Sequence, residues 1–247
     1  MTEHVEQTLT LGERIKEALV YKTVFTVNAG GLSIPISETV VTTWIIMAVL
    51  IIGSILLTRR MTEVPKGAQI IVEGLVGGLN DFFKGQIGHH WKLFAPWLGT
   101  VALYLGLANL VGFFSPLPAF GFEPPFSLKP PTRDINVTAA LSLVTILIVL
   151  FSGIAIKGFV GWAKSLAKPS PVMLPFNILE YLIKPLSLCL RLYGNILGAF
   201  IIMELLAMVT PLFIPPVASV YFDFFDGLIQ AVVFTFLSTL YIAEAVE

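Results

Sequence analysis

Charge is scarce in this chain. Asp, Glu, Lys and Arg make up 13% of its 247 residues, where a soluble domain of this size carries about 25%. Hydrophobic residues reach 56% and mean hydropathy is +0.87, which excludes an ordinary soluble domain and implies an integral membrane protein. A single cysteine excludes a disulfide framework, and three histidines beside it give no basis for a metal cluster. Cys189 lies in an apolar run and reads as a small packing residue. With 15 basic and 16 acidic residues and no basic patch interleaved with aromatics, nucleic acid is not an expected partner. There is no P-loop, so any nucleotide chemistry must belong to partners. The opening "MTEHVEQTLTLGERIKEALVYK" alternates acidic and basic residues without an apolar core and does not read as a cleaved signal peptide. No internal repeat is visible, which argues against an inverted-repeat transporter.

What the chain has instead is long apolar runs. About 20 apolar residues cross a hydrocarbon core of roughly 30 Å, and five runs qualify, at approximately 40–57, 93–114, 137–156, 183–208 and 217–243. The fold class expected is all-α, with five membrane helices. Between the first two spans, "AQIIVEGLVGGLNDFF" sets Ala68, Val72, Leu75, Leu79 and Phe82 on one face and Glu73, Gly77, Asn80 and Lys84 on the other, an amphipathic surface helix near 67–84. Basic residues cluster around it (Arg59, Arg60, Lys66, Lys84, Lys92) and after the third span (Lys157, Lys164, Lys168), so both loops should be cytoplasmic. The proline-rich "SPLPAFGFEPPFSLKPPTRDINVT" then lies outside as irregular structure. Five spans put the N-terminus outside and the C-terminus in the cytoplasm. Residues 1–39 form an extracytoplasmic segment, 40–172 hold three membrane helices and the surface helix, and 173–247 form a C-terminal helical hairpin.

Within "KPLSLCLRLYGNILGAF" one residue is out of place. Arg191 sits inside a spanning run, where a charge costs about 2.5–3.5 kcal/mol on insertion scales and usually marks an ion pathway or a buried partner. At 3.6 residues per turn Ser187, Arg191, Gly194, Asn195 and Gly198 form one stripe, and the absent side chains let another helix approach. Two blander readings stand beside this one: Arg191 snorkels or pairs with a structural carboxylate, and the glycines serve ordinary helix packing. The last span carries a second seam, Ser219, Asp223, Asp226, Gln230, Leu237, Tyr241 and Glu244, at spacings of three, four and seven, polar but for Leu237. Such a seam should face water or the arginine-bearing helix, although Asp223 and Asp226 could be merely interfacial. Glu204 is deep but about 220° around its helix from Arg191, so it either lines a channel or bonds a neighbour.

"LSLCLRLYGNILGAF" followed by "GLIQAVVFTFLSTLYIAEA" closely resembles the two C-terminal helices of subunit a of F-type ATP synthases, and "VPKGAQ" and "PTRDINVT" extend the likeness more loosely over most of the chain. The resemblance implies that the last two helices are long and tilted against a rotor ring of c subunits. It implies that Arg191 is the stator charge that meets each c-subunit carboxylate, between two offset aqueous half-channels. Asn195 and Gln230 match polar positions of the motif, and Ser187, Gly194 and Gly198 would pack against the rotor. Glu204, Asp223, Asp226 and Tyr241 are the remaining candidates for ion translocation. Many members carry a carboxylate where this chain has Ala199 and Phe200, with Glu204 one turn later, and a histidine or acidic residue near Asp223.

The expected function is therefore that of a non-catalytic, ion-translocating subunit of ATP synthase. It would move H+ or Na+, need no cofactor, and work with the c ring, the b subunits of the peripheral stalk and the other subunits in a bacterial plasma membrane. A secondary transporter or channel taking an anionic substrate at Arg191 would also explain a buried arginine, but not two adjacent polar seams. A purely structural scaffold would tolerate leucine at position 191.

Overall fold

The computed structural model describes residues 23–29, 32–59, 61–113, 130–166, 170–209 and 214–246. Two antiparallel strands, β1 (Thr23–Ala29) and β2 (Leu32–Ser37), precede the helices. Then follow α1 (Glu38–Thr58), α2 (Ala68–Ile87), α3 (Trp91–Phe113), α4 (Ile135–Leu166), α5 (Leu174–Val209), α6 (Ile214–Ser219), a π-helical segment (Val220–Asp226) and α7 (Gly227–Val246). Among the described residues, five stretches are long and apolar enough to cross a membrane: 38–58, 68–113, 135–166, 174–203 and 217–246. The chain is an all-α integral, multi-pass membrane protein, with a small hairpin preceding α1 among the described residues.

The elements differ from the sequence reading in four places. The β1–β2 hairpin lies within the 1–39 segment, to which the sequence reading gave no secondary structure; residues 1–22 lie outside the described part. Past residue 156 the third membrane helix is broken at Gly158, whose φ +72° and ψ 159° are non-helical, and a second helical stretch runs on from the kink to Leu166. The fourth begins at Leu174 rather than 183 and runs through Pro185, so Asn177, Glu180 and Lys184, which line a cavity, are helical residues. On α2, Val72, Leu79 and Phe82 are half-buried, but Ala68 and Leu75 are exposed and Phe83 and Ile87 are the buried residues. The inward face is thus rotated toward the helix C-terminus, and Gly88 at φ +69° turns the chain into α3.

The core forms where α3, α4, α5 and α7 converge; α3 packs along α7, and α4 along both α5 and α7. One cluster joins α2, α3, α4 and α7 through Phe83, Phe94, Leu98, Val149 and Ile242. A second joins α3, α5 and α7 through Val101, Leu105, Leu188, Leu192, Ala231 and Phe234. Cys189 is buried in α5 beside the Thr138 hydroxyl of α4, at 3.6 Å, as a packing residue would be.

Candidate functional site

Arg191 lies midway along α5 on its exposed side, and among the described residues it makes no hydrogen bond or ion pair. Gly194 is exposed and Gly198 half-buried, and a Cβ built on either meets nothing within 4 Å. The ground beside the arginine is open. Ser187 is half-buried on the preceding turn. Asn195, expected on the same stripe, turns instead toward the last helix. Its Nδ2 donates to Asp226 Oδ1 at 2.9 Å and, more weakly, to Gln230 Oε1 at 3.4 Å. Gln230 is only 4% exposed, and its Nε2 is a buried donor without a partner among the described residues. A buried amide donor left unmatched costs about 1–3 kcal/mol, so Gln230 is the least satisfied member of this polar cluster.

The single polar seam expected along the last span is divided. The π-helix rotates less per residue than an α-helix, so residues three apart in it no longer share a face. Asp226 therefore reaches Asn195 while Asp223 looks elsewhere, half-buried with its Oδ1 3.7 Å from the space where a Cβ on Gly112 would lie. Tyr241 and Glu244 belong to a different group at the far end of α7. There Lys184 Nζ donates to Glu244 Oε2 at 2.8 Å, lies 3.4 Å from Glu180 Oε2 and stands 5.2 Å from the centre of the Tyr241 ring. These residues line a cavity of about 570 Å³ between α4, α5 and α7, together with Lys157, Asn177 and Tyr181. Glu204 lies on α5, but its side chain is outside the described residues.

Several residues that the sequence did not mark hold this arrangement. Asn109 of α3, fully buried, donates through Nδ2 to the Gly227 carbonyl at 2.8 Å and accepts from the Thr132 hydroxyl at 2.7 Å. Gly227 permits the contact, since a Cβ there would stand 2.9 Å from the Asn109 Cβ. Asp134 caps α4, accepting from the Asn136 amide at 2.9 Å and from the Thr39 hydroxyl of α1 at 3.0 Å. Arg133 lays its guanidinium over the Phe200 ring at 3.5 Å, a cation–π pair at the very position where the resemblance led one to look for a carboxylate. A lone asparagine in an apolar run was the available signal for Asn109. The Lys184 group was signalled by a lysine and two glutamates near the ends of two spans.

A profile of the ATP synthase A chain family matches residues 40–243. Over 223 residues the chain is 33% identical to the sodium-ion-specific ATP synthase subunit a of Propionigenium modestum, a match spanning 88% of this chain and 77% of that one. Over 214 residues it is 36% identical to ATP synthase subunit a of Moorella thermoacetica, spanning 87% of this chain and 93% of the relative. A multi-pass chain of this layout, matched over most of its length by such relatives, belongs to the ATP synthase A chain family.

Proposed function

We propose that this chain is the stator half of the ion path of an F-type ATP synthase, with Arg191 as the fixed charge that each carboxylate of a c-subunit ring passes. The observation that supports this most is an arginine exposed at mid-span, without a partner among the described residues and flanked by open glycine positions. Against lipid alone such a charge is costly, so a carboxylate from outside the chain is the natural counterpart. A rotor carboxylate crossing lipid must be neutral, through a proton or a bound sodium ion. Beside Arg191 its ionised form is favoured, and the ion leaves. Arginine keeps its charge when desolvated, where lysine can lose a proton.

Two access routes fit the polar groups. The cavity around Lys184, Glu180, Tyr241 and Glu244 suits the cytoplasmic half-channel, with Asn195, Asp226, Gln230 and Asp223 on the outer one and Glu204 as a further candidate there. Each elementary charge crossing 100 mV releases about 2.3 kcal/mol, which offset channels convert to rotation. The coupling ion is H+ or Na+, and the sodium specificity named for the Propionigenium relative makes Na+ a reading to test directly. The c ring and the b subunits are the partners, in a bacterial plasma membrane with the N-terminus outside.

The test is ATP synthesis by membrane vesicles under an imposed ion gradient, with assembly checked in parallel. Arg191→Ala is expected to insert and assemble but to lose synthesis, and Arg191→Lys to be severely impaired because it keeps charge without the planar fork. Near-normal synthesis by assembled Arg191→Ala complex would overturn the reading.

A further inference from the structure

The polar cluster at Asn195 and the polar cavity at Lys184 are carried by the same two helices. Eleven residues separate them on α5, about 16 Å at 1.5 Å per residue. Arg191 lies between them in height but not in the interior. It is exposed on the outer side of α5, whereas Leu192, about 100° further round the helix, is 0% exposed and faces α3 and α7. The arginine's charge can repel a cation on its own side. It leaves the route behind α5 to whatever fills it.

That route is filled by an apolar layer. Leu188 and Leu192 of α5 meet Ala231 and Phe234 of α7 and Val101 and Leu105 of α3, all buried. The hydroxyls at this depth on α7 are already engaged with their own helix. Thr235 donates to the Ala231 carbonyl at 2.8 Å, Ser238 to Phe234 at 2.8 Å and Thr239 to Thr235 at 2.7 Å. On α4, Thr145 does the same to Leu141 at 2.8 Å. Trp97 packs against the same cluster, and its Nε1 is a buried donor without a partner among the described residues, so one polar atom borders the layer. A water file needs two to four polar partners at each step, and a single donor does not supply them. An unpaired ion in such a layer faces a large desolvation cost.

We propose that Leu188, Leu192, Ala231 and Phe234 form an insulating layer inside the chain, separate from Arg191, that keeps its two polar regions from joining. The proposal rests on the half-channel reading above. Arg191 closes the path along the rotor face and the layer closes the path behind α5, so an ion can cross only on the rotor.

The experiment uses the whole complex in liposomes, with the rotor carboxylates blocked by a carbodiimide, and measures passive H+ and Na+ flux under an imposed potential. Leu192→Asn and Phe234→Asn introduce a side chain that can bind water; serine is unsuitable because its hydroxyl would fold back on the helix as the native ones do. Each variant is expected to raise rotor-blocked flux at least tenfold, while Phe234→Leu stays as tight as the native complex. Ala231→Asn serves as a third site in the same layer if either larger residue proves essential for assembly. Rotor-blocked flux at the native level in assembled Asn variants, or a leak that the carbodiimide abolishes, would overturn the layer. The half-channel reading fails by a different result, retained synthesis in Arg191→Ala, so the two are told apart.

Discussion

Neighbouring residues on one helix face different media here, and the glycines beside Arg191 make the point testable. A Cβ added at Gly194 or Gly198 meets nothing within 4 Å of this chain. Enlarging either to leucine should therefore leave the folding of the subunit itself nearly unaffected. If the rotor ring packs there, the same leucines should cut ATP synthesis by an order of magnitude or more through overlap with the ring. Detergent stability of the isolated subunit and coupled synthesis by the complex, measured together, check this; normal synthesis in both variants would turn the face away from the rotor. Arg191 and its glycines were legible in the sequence because a charge in an apolar run stands out at once. The direction of Asn195 was not, because 3.6-residue periodicity assigns a stripe some 100° wide, and a residue at its edge can serve the outer face or the interior.

At the scale of elements, the π-helix at Val220–Asp226 explains why the last span divides its polar residues between two places. Composition gave no sign of it, since the offset from i→i+4 to i→i+5 bonding changes no residue. What holds it is more specific: Thr132, Asn109 and the Gly227 carbonyl form a chain of bonds at 2.7 and 2.8 Å from the turn before α4 to the first residue of α7. Asn109→Leu breaks both bonds, leaving the Thr132 hydroxyl buried without its acceptor. It should cost about 1–3 kcal/mol and free the segment that aims Asp226 at Asn195. A lowered thermal midpoint in detergent, together with reduced ion-driven synthesis, is the expected outcome. An unchanged midpoint would mean that the segment is held by its apolar contacts alone. The spanning helices themselves were readable because lipid permits little else. The β1–β2 hairpin carried a readable signal too, β-branched runs on either side of a glycine pair in "TVFTVNAGGLSIPIS", but it stands beside spans whose hydropathy dominates any first reading.

For the whole molecule, exposure means the reverse of what it means in water. Only 11% of the α1 span and 17% of the α5 span are buried within the chain, against 44% of the last one, so lipid or other subunits must cover the first two. On the last span, Val232 is 62% exposed and Gln230 4%. In a soluble protein a cysteine at Val232 would react with a water-soluble reagent and one at Gln230 would not. Here the exposed position faces an apolar surrounding, while Gln230 and Asp226 belong to a polar cluster with an unmatched amide donor. If water reaches that cluster, small charged thiol reagents applied to membranes carrying the assembled complex should label Asp226→Cys and Gln230→Cys at least tenfold faster than Val232→Cys. Thiols react as thiolates, and a thiolate is disfavoured in an apolar medium, so the contrast follows from both access and chemistry. A lipid-soluble maleimide should narrow the difference, because it reaches Val232→Cys through the bilayer. Labelling of Val232→Cys by the charged reagent at the rate of Gln230→Cys would remove the case for a water path through this part of the chain.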